Sequence, residues 1–201
     1  MRVPSAQANG GTGMYPWIDR GASPTSSWYR TSSVGTGANI ATYTCVADTI
    51  YASYFSVPVI CTLTELGVHV VNGVALSSAR LGVYRTGGWG SPYPTTLLLD
   101  AGTVPTTVGA GPQFVTGLTL RLQQDVLYAS VFLTQSTPGF SCGSSLTTWN
   151  TWGSDNTLAM GRSCVYHAQA WGALPTTFPS AAPTAVNAGT GPSPTMYTRY
   201  G

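Results

Sequence analysis

The segment Val126-Leu-Tyr-Ala-Ser-Val-Phe-Leu133 decides the fold class. Its β-branched and aromatic residues favour a strand, and both alternating sets of side chains are largely apolar. A strand that is apolar on both faces belongs inside a sheet that is covered on each side. The segment therefore predicts a central strand in a layered, all-β protein.

Short β segments separated by turn residues lie on both sides of this strand. They are predicted at 41–46, 50–57, 66–71, 79–85, 118–122, 164–168 and 196–200. Asn72-Gly73 is a dipeptide that favours a hairpin turn. This spacing is typical of an antiparallel β-sandwich, here expected to resemble a jelly roll. The expected core consists of Leu66, Val68, Leu81, Val83, Leu120, Leu127, Val131 and Leu133.

Composition supports strands and excludes several partners. Charged residues make up 7% of the chain, which has no lysine and a single glutamate, whereas long helices use both residues freely. The net charge of +2 is spread thinly along the sequence, which disfavours nucleic acid and anionic membranes as partners. No apolar run has the length of a signal peptide or a membrane span. We therefore expect neither export nor membrane insertion.

The chain divides by composition into an irregular N-terminal arm at 1–40 and a β-sandwich domain at 41–201. The arm is rich in Gly, Ser, Thr and Pro and shows no periodicity, so it should not fold alone. Aromatic residues beside arginine are typical interface anchors. We expect the arm to dock on a partner; the alternative is that it covers its own domain. The docking candidates are Tyr15, Trp17, Arg20, Trp28, Tyr29 and Arg30.

Residues suited to catalysis are sparse. His69 and His167 stand in predicted strands, and no Gly-x-Ser-x-Gly spacing accompanies them. Glu65 is the one carboxylate before a strand, whereas a glycosidase needs a pair. Turn positions are expected for Asp48, Asp100, Asp125 and Asp155. Zinc, calcium and phosphate motifs are missing from the sequence, so we expect no enzyme, no metal and no cofactor.

Two predicted loops carry aromatic rings beside polar side chains. Such rings stack on the apolar faces of sugars while amides bind the hydroxyl groups. The alternative is that the rings plug one end of the sandwich. The candidate glycan contacts are Trp89, Tyr93, Trp149, Asn150 and Trp152.

The cysteines are Cys45, Cys61, Cys142 and Cys164. Four thiols allow three pairings, and without a signal peptide the reduced state is expected. If a disulfide forms, Cys142 with Cys164 is the first choice because these two flank a predicted hairpin, and Cys45 with Cys61 is the second. Spacing does not decide the matter, since the two Cα atoms must come within about 7 Å.

Several segments together carry a resemblance. The segments 78–86, 94–104 and 126–133, followed by Trp171-Gly-Ala-Leu-Pro175 and Phe178-Pro179, resemble a β-sandwich module of virion appendage proteins of tailed bacteriophages. That family includes tail fibres, head fibres and capsid decoration proteins, which are usually trimeric. The shared motifs build the fold and bring no catalytic residues with them.

The resemblance implies a structural virion protein that is assembled in the host cytoplasm. Its implied partners are other virion proteins, contacted through the arm, and further copies of the chain, with a homotrimer favoured. A host glycan is a candidate ligand. Two alternatives stay open: a lectin-like receptor-binding module, and a hydrolase that trims surface polysaccharide.

Overall fold

The structure is a computed structural model that describes residues 29–30, 40–57, 59–88, 93–107, 111–143, 164–179, 184–185, 193–194 and 196–201. These residues form strands, and none of them belongs to a helix that could cross a membrane. The strands are β1 Tyr29–Arg30, β2 Ile40–Thr44, β3 Thr49–Ser56, β4 Cys61–Asn72, β5 Ser78–Thr86, β6 Pro94–Pro105, β7 Gly111–Leu122, β8 Leu127–Thr134, β9 Gly139–Gly143, β10 Cys164–Ala168, β11 Thr184–Ala185, β12 Ser193–Pro194 and β13 Met196–Tyr200.

Two antiparallel sheets pack face to face, which confirms the predicted all-β sandwich. In the first sheet, β4 pairs with β7 along one side and with β13 and then β9 along the other. β1 extends this sheet from β13, and β2 and β12 extend it from β9. The second sheet has the order β11-β10-β3-β8-β5-β6. The segment that predicted a central strand is β8, which lies between β3 and β5.

The chain changes sheet at most of its connections, and the predicted hairpin at Asn72-Gly73 is wrong. β4 belongs to the first sheet and β5 to the second, so this dipeptide begins a crossover. The Val74 N–H donates to the Thr106 carbonyl oxygen at 2.9 Å, and Leu76 adopts a left-handed φ of 58°. The crossover lets β4 and β5 supply apolar side chains to the core between the sheets from opposite sides.

The core between the sheets is tied together by aromatic rings. Phe132 of β8 stacks on Tyr51 of β3 with ring centroids 5.0 Å apart. Phe132 also meets Phe140 of β9, in the other sheet, in a T-shaped contact at 5.0 Å. Such pairs contribute about 0.5–1.5 kcal/mol each beyond the area that they bury. The ring cluster therefore joins both sheets at their centre.

Most of the predicted core is buried, but on two different surfaces. The buried members are Leu66, Val68, Leu81, Val83, Leu127, Val131 and Leu133. Leu120 is only half-buried because β7 is an edge strand. Leu127, Val131 and Leu133 belong to a second cluster, on the outward face of the second sheet. β8 is therefore buried on both faces, as its sequence predicts.

Residues 169–179 cover that outward face, and we call them the strap. At one side of the sheet the Gln169 N–H donates to the Asp48 carbonyl oxygen at 2.8 Å. At the other side the Phe178 N–H donates to the Thr95 carbonyl oxygen at 2.8 Å. The strap thus crosses the second sheet from β3 to β6. Its apolar contacts with the sheet come from Trp171, Leu174 and Phe178.

Candidate functional site

The end of the predicted docking arm is joined to the sandwich of its own chain. Tyr29 and Arg30 form β1, and their backbones pair with Thr198 and Tyr197 of β13. The first sheet also takes up Ile40 at the start of β2. The sandwich thus includes residues from before position 41. The other docking candidates, which lie outside the described residues, are Tyr15, Trp17, Arg20 and Trp28.

One of the candidate glycan contacts belongs to the described part of the chain. Tyr93 is half-buried and packs against the outward cluster of the second sheet. Its carbonyl oxygen accepts the Gly87 N–H at 3.2 Å, where the β5–β6 connection closes. The candidates outside the described residues are Trp89, Trp149, Asn150 and Trp152.

The two histidines have neutral oxygen partners. His69 is half-buried on the outward face of the first sheet, and its Nδ1 lies 3.0 Å from the Oγ atom of buried Ser141. The Nδ1 of His167 donates to the Ala168 carbonyl oxygen at 2.7 Å. Both contacts join an imidazole to its own sheet.

Asp100 has a role that the sequence prediction missed. Its two carboxylate oxygens accept from Nε of Arg80 at 2.8 and 2.9 Å. They also accept the N–H groups of Gly102 at 3.2 Å and of Leu174, in the strap, at 3.3 Å. One carboxylate thus joins β5, β6 and the strap.

The expectation that Asp100 stands in a turn is wrong, because it lies within β6. Asp100 pairs with Gly82 and Gly102 pairs with Leu81, so Ala101 is the extra residue of a β-bulge. Gly102 has a left-handed φ of 101°, a conformation that glycine adopts readily. The dipeptide Ala101-Gly102 after an aspartate was the signal in the sequence for this bulge.

The remaining described carboxylates also make structural contacts. Asp48 is in a turn, as expected, with a φ of 51°, and its Oδ1 accepts the Trp171 N–H of the strap at 2.9 Å. Asp125 is likewise at a turn, with a φ of 57°. Glu65 of β4 accepts from Nη1 of Arg199 in β13 at 3.2 Å. Asp155 lies outside the described residues.

Cys164 has a free thiol, as expected for the reduced state, so the pair with Cys142 that was the first choice for a disulfide is not formed in this structure. The thiol is enclosed in the core between the sheets, on the face of the second sheet, whereas Cys142 belongs to β9 of the first sheet. Burial raises the pKa of the Cys164 thiol to about 12. Cys61 is also a free thiol, so the second choice of pair is not formed either, and burial raises its pKa.

Among the described carboxylates, Asp48 and Asp100 contact the strap, and Glu65 joins β4 to β13. Across the described ranges, no three His, Cys, Asp or Glu side chains are grouped as metal ligands would be. No protein-family model and no curated protein sequence matches this chain.

Proposed function

We propose that this protein is a structural component of a tailed-bacteriophage virion. In this proposal it is an appendage of the fibre or decoration type, which attaches through its N-terminal arm and displays the β-sandwich. Other virion proteins hold the arm, and further copies of the chain complete the appendage.

One observation carries the proposal. The separate segments on which the resemblance to virion appendage proteins depends become neighbours in space. They form β5, most of β6, β8 and the strap, and the strand order β8-β5-β6 makes them one continuous block. The strap closes this block through Asp100 and through the Tyr84 hydroxyl, which donates to the Pro175 carbonyl oxygen. The resemblance therefore follows a physical unit of the fold rather than scattered strands.

The contacts of the carboxylates support a structural role for the displayed sandwich. Asp48 and Asp100 fix the strap, and Glu65 joins β4 to β13. Asp100 has both of its carboxylate oxygens engaged in these contacts, and Asp48 and Glu65 each have one. An enzyme that acts on glycosides instead presents two carboxyl groups to a substrate.

The test measures whether the protein is incorporated into virus particles. Particles are produced with either the full chain or a chain that lacks residues 1–28 and keeps β1, and the protein is quantified in purified virions. We expect the full chain in the particles and the shortened chain, folded by circular dichroism, to be absent from them. Absence of the full chain from purified particles would contradict the proposal. Normal loading of the shortened chain would exclude the arm as the attachment.

A matched pair of double variants refines the test. Trp17→Ala with Trp28→Ala removes two aromatic rings from the arm, and Trp89→Ala with Trp149→Ala removes two from the loops that the sequence predicts. We expect the first pair to abolish loading and the second to leave it unchanged. Particles that load the second variant but adsorb poorly to cells would indicate that those loops contact the host.

A further inference from the structure

The strap begins with a tryptophan whose indole N–H is available to a ligand. Trp171 is half-buried and packs against the outward cluster of the second sheet. Its backbone N–H donates to Asp48, but no group in the described part of the chain accepts its indole N–H. The indole N–H of a tryptophan that is buried usually has a hydrogen-bond partner. The missing acceptor is therefore the first sign of a binding site.

Asp48 lies beside this tryptophan and is held in place by the backbone. Its N–H donates to the Thr134 carbonyl oxygen at 2.9 Å, and its carbonyl oxygen accepts the Gln169 N–H at 2.8 Å. Its Oδ1 accepts the Trp171 N–H at 2.9 Å, whereas Oδ2 has no partner among the described residues. The residue is exposed. The carboxylate thus adds an open acceptor to the open indole donor.

The neighbours of Trp171 leave space around it. Ala170 and Ala173 are small and exposed, and a Cβ atom added to Gly172 would have nothing within 4 Å. His167 follows Val165 by two positions in β10 and therefore shares its outward face. The imidazole donates from Nδ1 to a backbone carbonyl oxygen at 2.7 Å, so its neutral form has an acceptor at Nε2.

We call Trp171, Asp48 and His167 the corner site. Its open groups select the chemistry of the ligand. An ammonium group has donors only and leaves the indole N–H unmatched, whereas a phosphate or a carboxylate is repelled by Asp48. A hydroxyl group both donates and accepts. A pyranose carries several hydroxyl groups beside an apolar C–H face that can stack on an aromatic ring.

We propose that the corner site binds a neutral pyranose of a glycan. Because backbone hydrogen bonds already fix Asp48 and Trp171 relative to each other, binding orders few additional groups. The single carboxylate binds the sugar without cleaving it, since glycoside hydrolysis takes two. This inference rests on the proposed function only for the source of the glycan, the host surface. Display of many copies on one particle would strengthen a weak contact through avidity.

The test uses the purified full chain and needs no virion. The isotope-labelled chain is titrated with methyl β-glucopyranoside, methyl β-galactopyranoside and methyl N-acetyl-β-glucosaminide, each to about 50 mM, well above a Kd of about 1 mM expected for one sugar. The indole N–H signal of Trp171, assigned by triple-resonance NMR, reports the location. Saturation-transfer NMR on the sugar gives the Kd for every variant. We expect at least one sugar to shift the Trp171 signal saturably.

Two aspartate variants form a matched pair. Asp48→Asn keeps an oxygen for the Trp171 N–H, and asparagine tolerates the φ of 51° at this turn. It replaces the open carboxylate oxygen by an amide, so we expect the Kd to rise at least about tenfold, as also for Trp171→Phe. Asp125→Asn makes the same change at a turn with a φ of 57° and should leave the Kd unaltered.

Several results would overturn the inference. They are the lack of a saturable shift with all three sugars, an unaltered Kd in Asp48→Asn, and an equal rise in Asp125→Asn. Sugar binding that is lost in Trp89→Phe or Trp149→Phe but kept in Trp171→Phe would place the sugar on the predicted loops instead. A Trp171 shift with tetramethylammonium and with none of the sugars would identify a cation site.

Thermal unfolding shows whether each variant is folded; if Trp171→Phe is not, Asp48→Asn gives the result. A chain that binds none of the sugars but loads normally onto particles would exclude the corner site and leave the proposed function standing.

Discussion

The outward faces of the two sheets are built in different ways. On the second sheet, Ile50, Ala129 and Val131 are fully buried under apolar cover. On the first sheet the corresponding face carries polar pairs, Glu65 with Arg199 and His69 with Ser141. A sheet that is apolar on both faces needs a cover, whereas an antiparallel sheet with one polar face tolerates water there. The strap is therefore part of the core of the second sheet.

The outward face of each sheet has a strand glycine that is covered by a large side chain. A Cβ atom on Gly82 would lie 2.3 Å from Cδ1 of Leu174, in the strap. A Cβ atom on Gly67 would lie 2.0 Å from Cδ1 of Phe114, in the neighbouring strand β7. The cover comes from a distant segment in one sheet and from an adjacent strand in the other. Substitutions at these glycines compare the two arrangements directly.

The largest effect is expected from Gly82→Ala. The new methyl group would also lie 2.6 Å from the Leu99 carbonyl oxygen, so the strap and β6 must both move. We expect a loss of about 3 kcal/mol in the free energy of unfolding, measured by urea denaturation. The methyl group of Gly67→Ala would lie 2.7 Å from the Gln113 carbonyl oxygen as well as against Phe114, so β7 must also move. This variant should cost less than Gly82→Ala, because β7 is an edge strand that can shift more easily.

Gly172→Ala is the matched control, because nothing lies within 4 Å of its added Cβ atom in the strap. Its stability should stay within about 0.5 kcal/mol of the unaltered protein. Equal stability of the Gly82 and Gly172 variants would show that the strap does not press on the sheet.

The two ion pairs give the next comparison. Asp100→Asn weakens contacts with Arg80 and the strap, and we expect a loss of about 1–3 kcal/mol. Glu65→Gln weakens one contact with Arg199 at 3.2 Å and should cost about 0–1 kcal/mol. Limited proteolysis of the strap should accelerate in the Asp100 variant alone. A larger loss for Glu65→Gln would reverse the assignment of the anchoring carboxylate.

Alkaline pH should weaken the strap through Tyr84. Burial, and then the charge of Asp100, raise the pKa of Tyr84 above its usual value near 10. The unfolded chain therefore releases this proton first, and stability falls as pH rises above about 10, by at most about 1.4 kcal/mol per pH unit. Tyr84→Phe should flatten this fall and cost about 1 kcal/mol at neutral pH through the lost bond to Pro175.

Tyr51 is the comparison in the core between the sheets, where burial also raises its pKa. Tyr51→Phe should flatten the alkaline fall to a similar degree, as followed by urea denaturation between pH 8 and about 11. An unchanged slope in the Tyr84 variant would mean that its hydroxyl ionises equally in the folded and unfolded chains.

The smallest effect concerns thiol reactivity. A neutral thiol is a poor nucleophile, and the buried Cys164 thiol, with a pKa of about 12, should resist alkylation at pH 8 until the protein unfolds. The half-buried Cys61 should react faster in the folded state. Peptide mapping after timed alkylation measures both rates. Equal rates, or a Cys142–Cys164 disulfide in a non-reducing map, would contradict this placement.

Local patterns predicted the strands because side-chain alternation is a property of short segments. The alternation of Leu66, Val68 and Val70 predicted one apolar face, and all three lie in the core between the sheets. Segment 126–133 is largely apolar on both faces, and both faces of β8 are buried. The crossover after Asn72 was not predictable from the dipeptide, which fits a hairpin equally well. The outcomes differ in the sheet that β5 joins, and that depends on its pairing with β6 and β8, which the dipeptide does not encode.

The strap and the contacts of the candidate sites could not be predicted from local sequence patterns. The strap has no periodicity, and its anchor Asp48 is 123 positions away from Trp171. Composition selected Tyr29 and Arg30 for a partner, yet their backbones pair with the chain's own β13. The character of a side chain does not predict the strand with which its backbone pairs.

The pairing of β4 with β13 has a consequence for synthesis. Glu65 and Arg199 are 134 positions apart in the sequence. Because ribosomes add about 5–20 residues per second, β13 is synthesised roughly 7 to 27 s after β4. During that interval part of the β4 edge is open to neighbouring nascent chains. Translation speed between these two strands therefore sets when the first sheet can be completed in the cell.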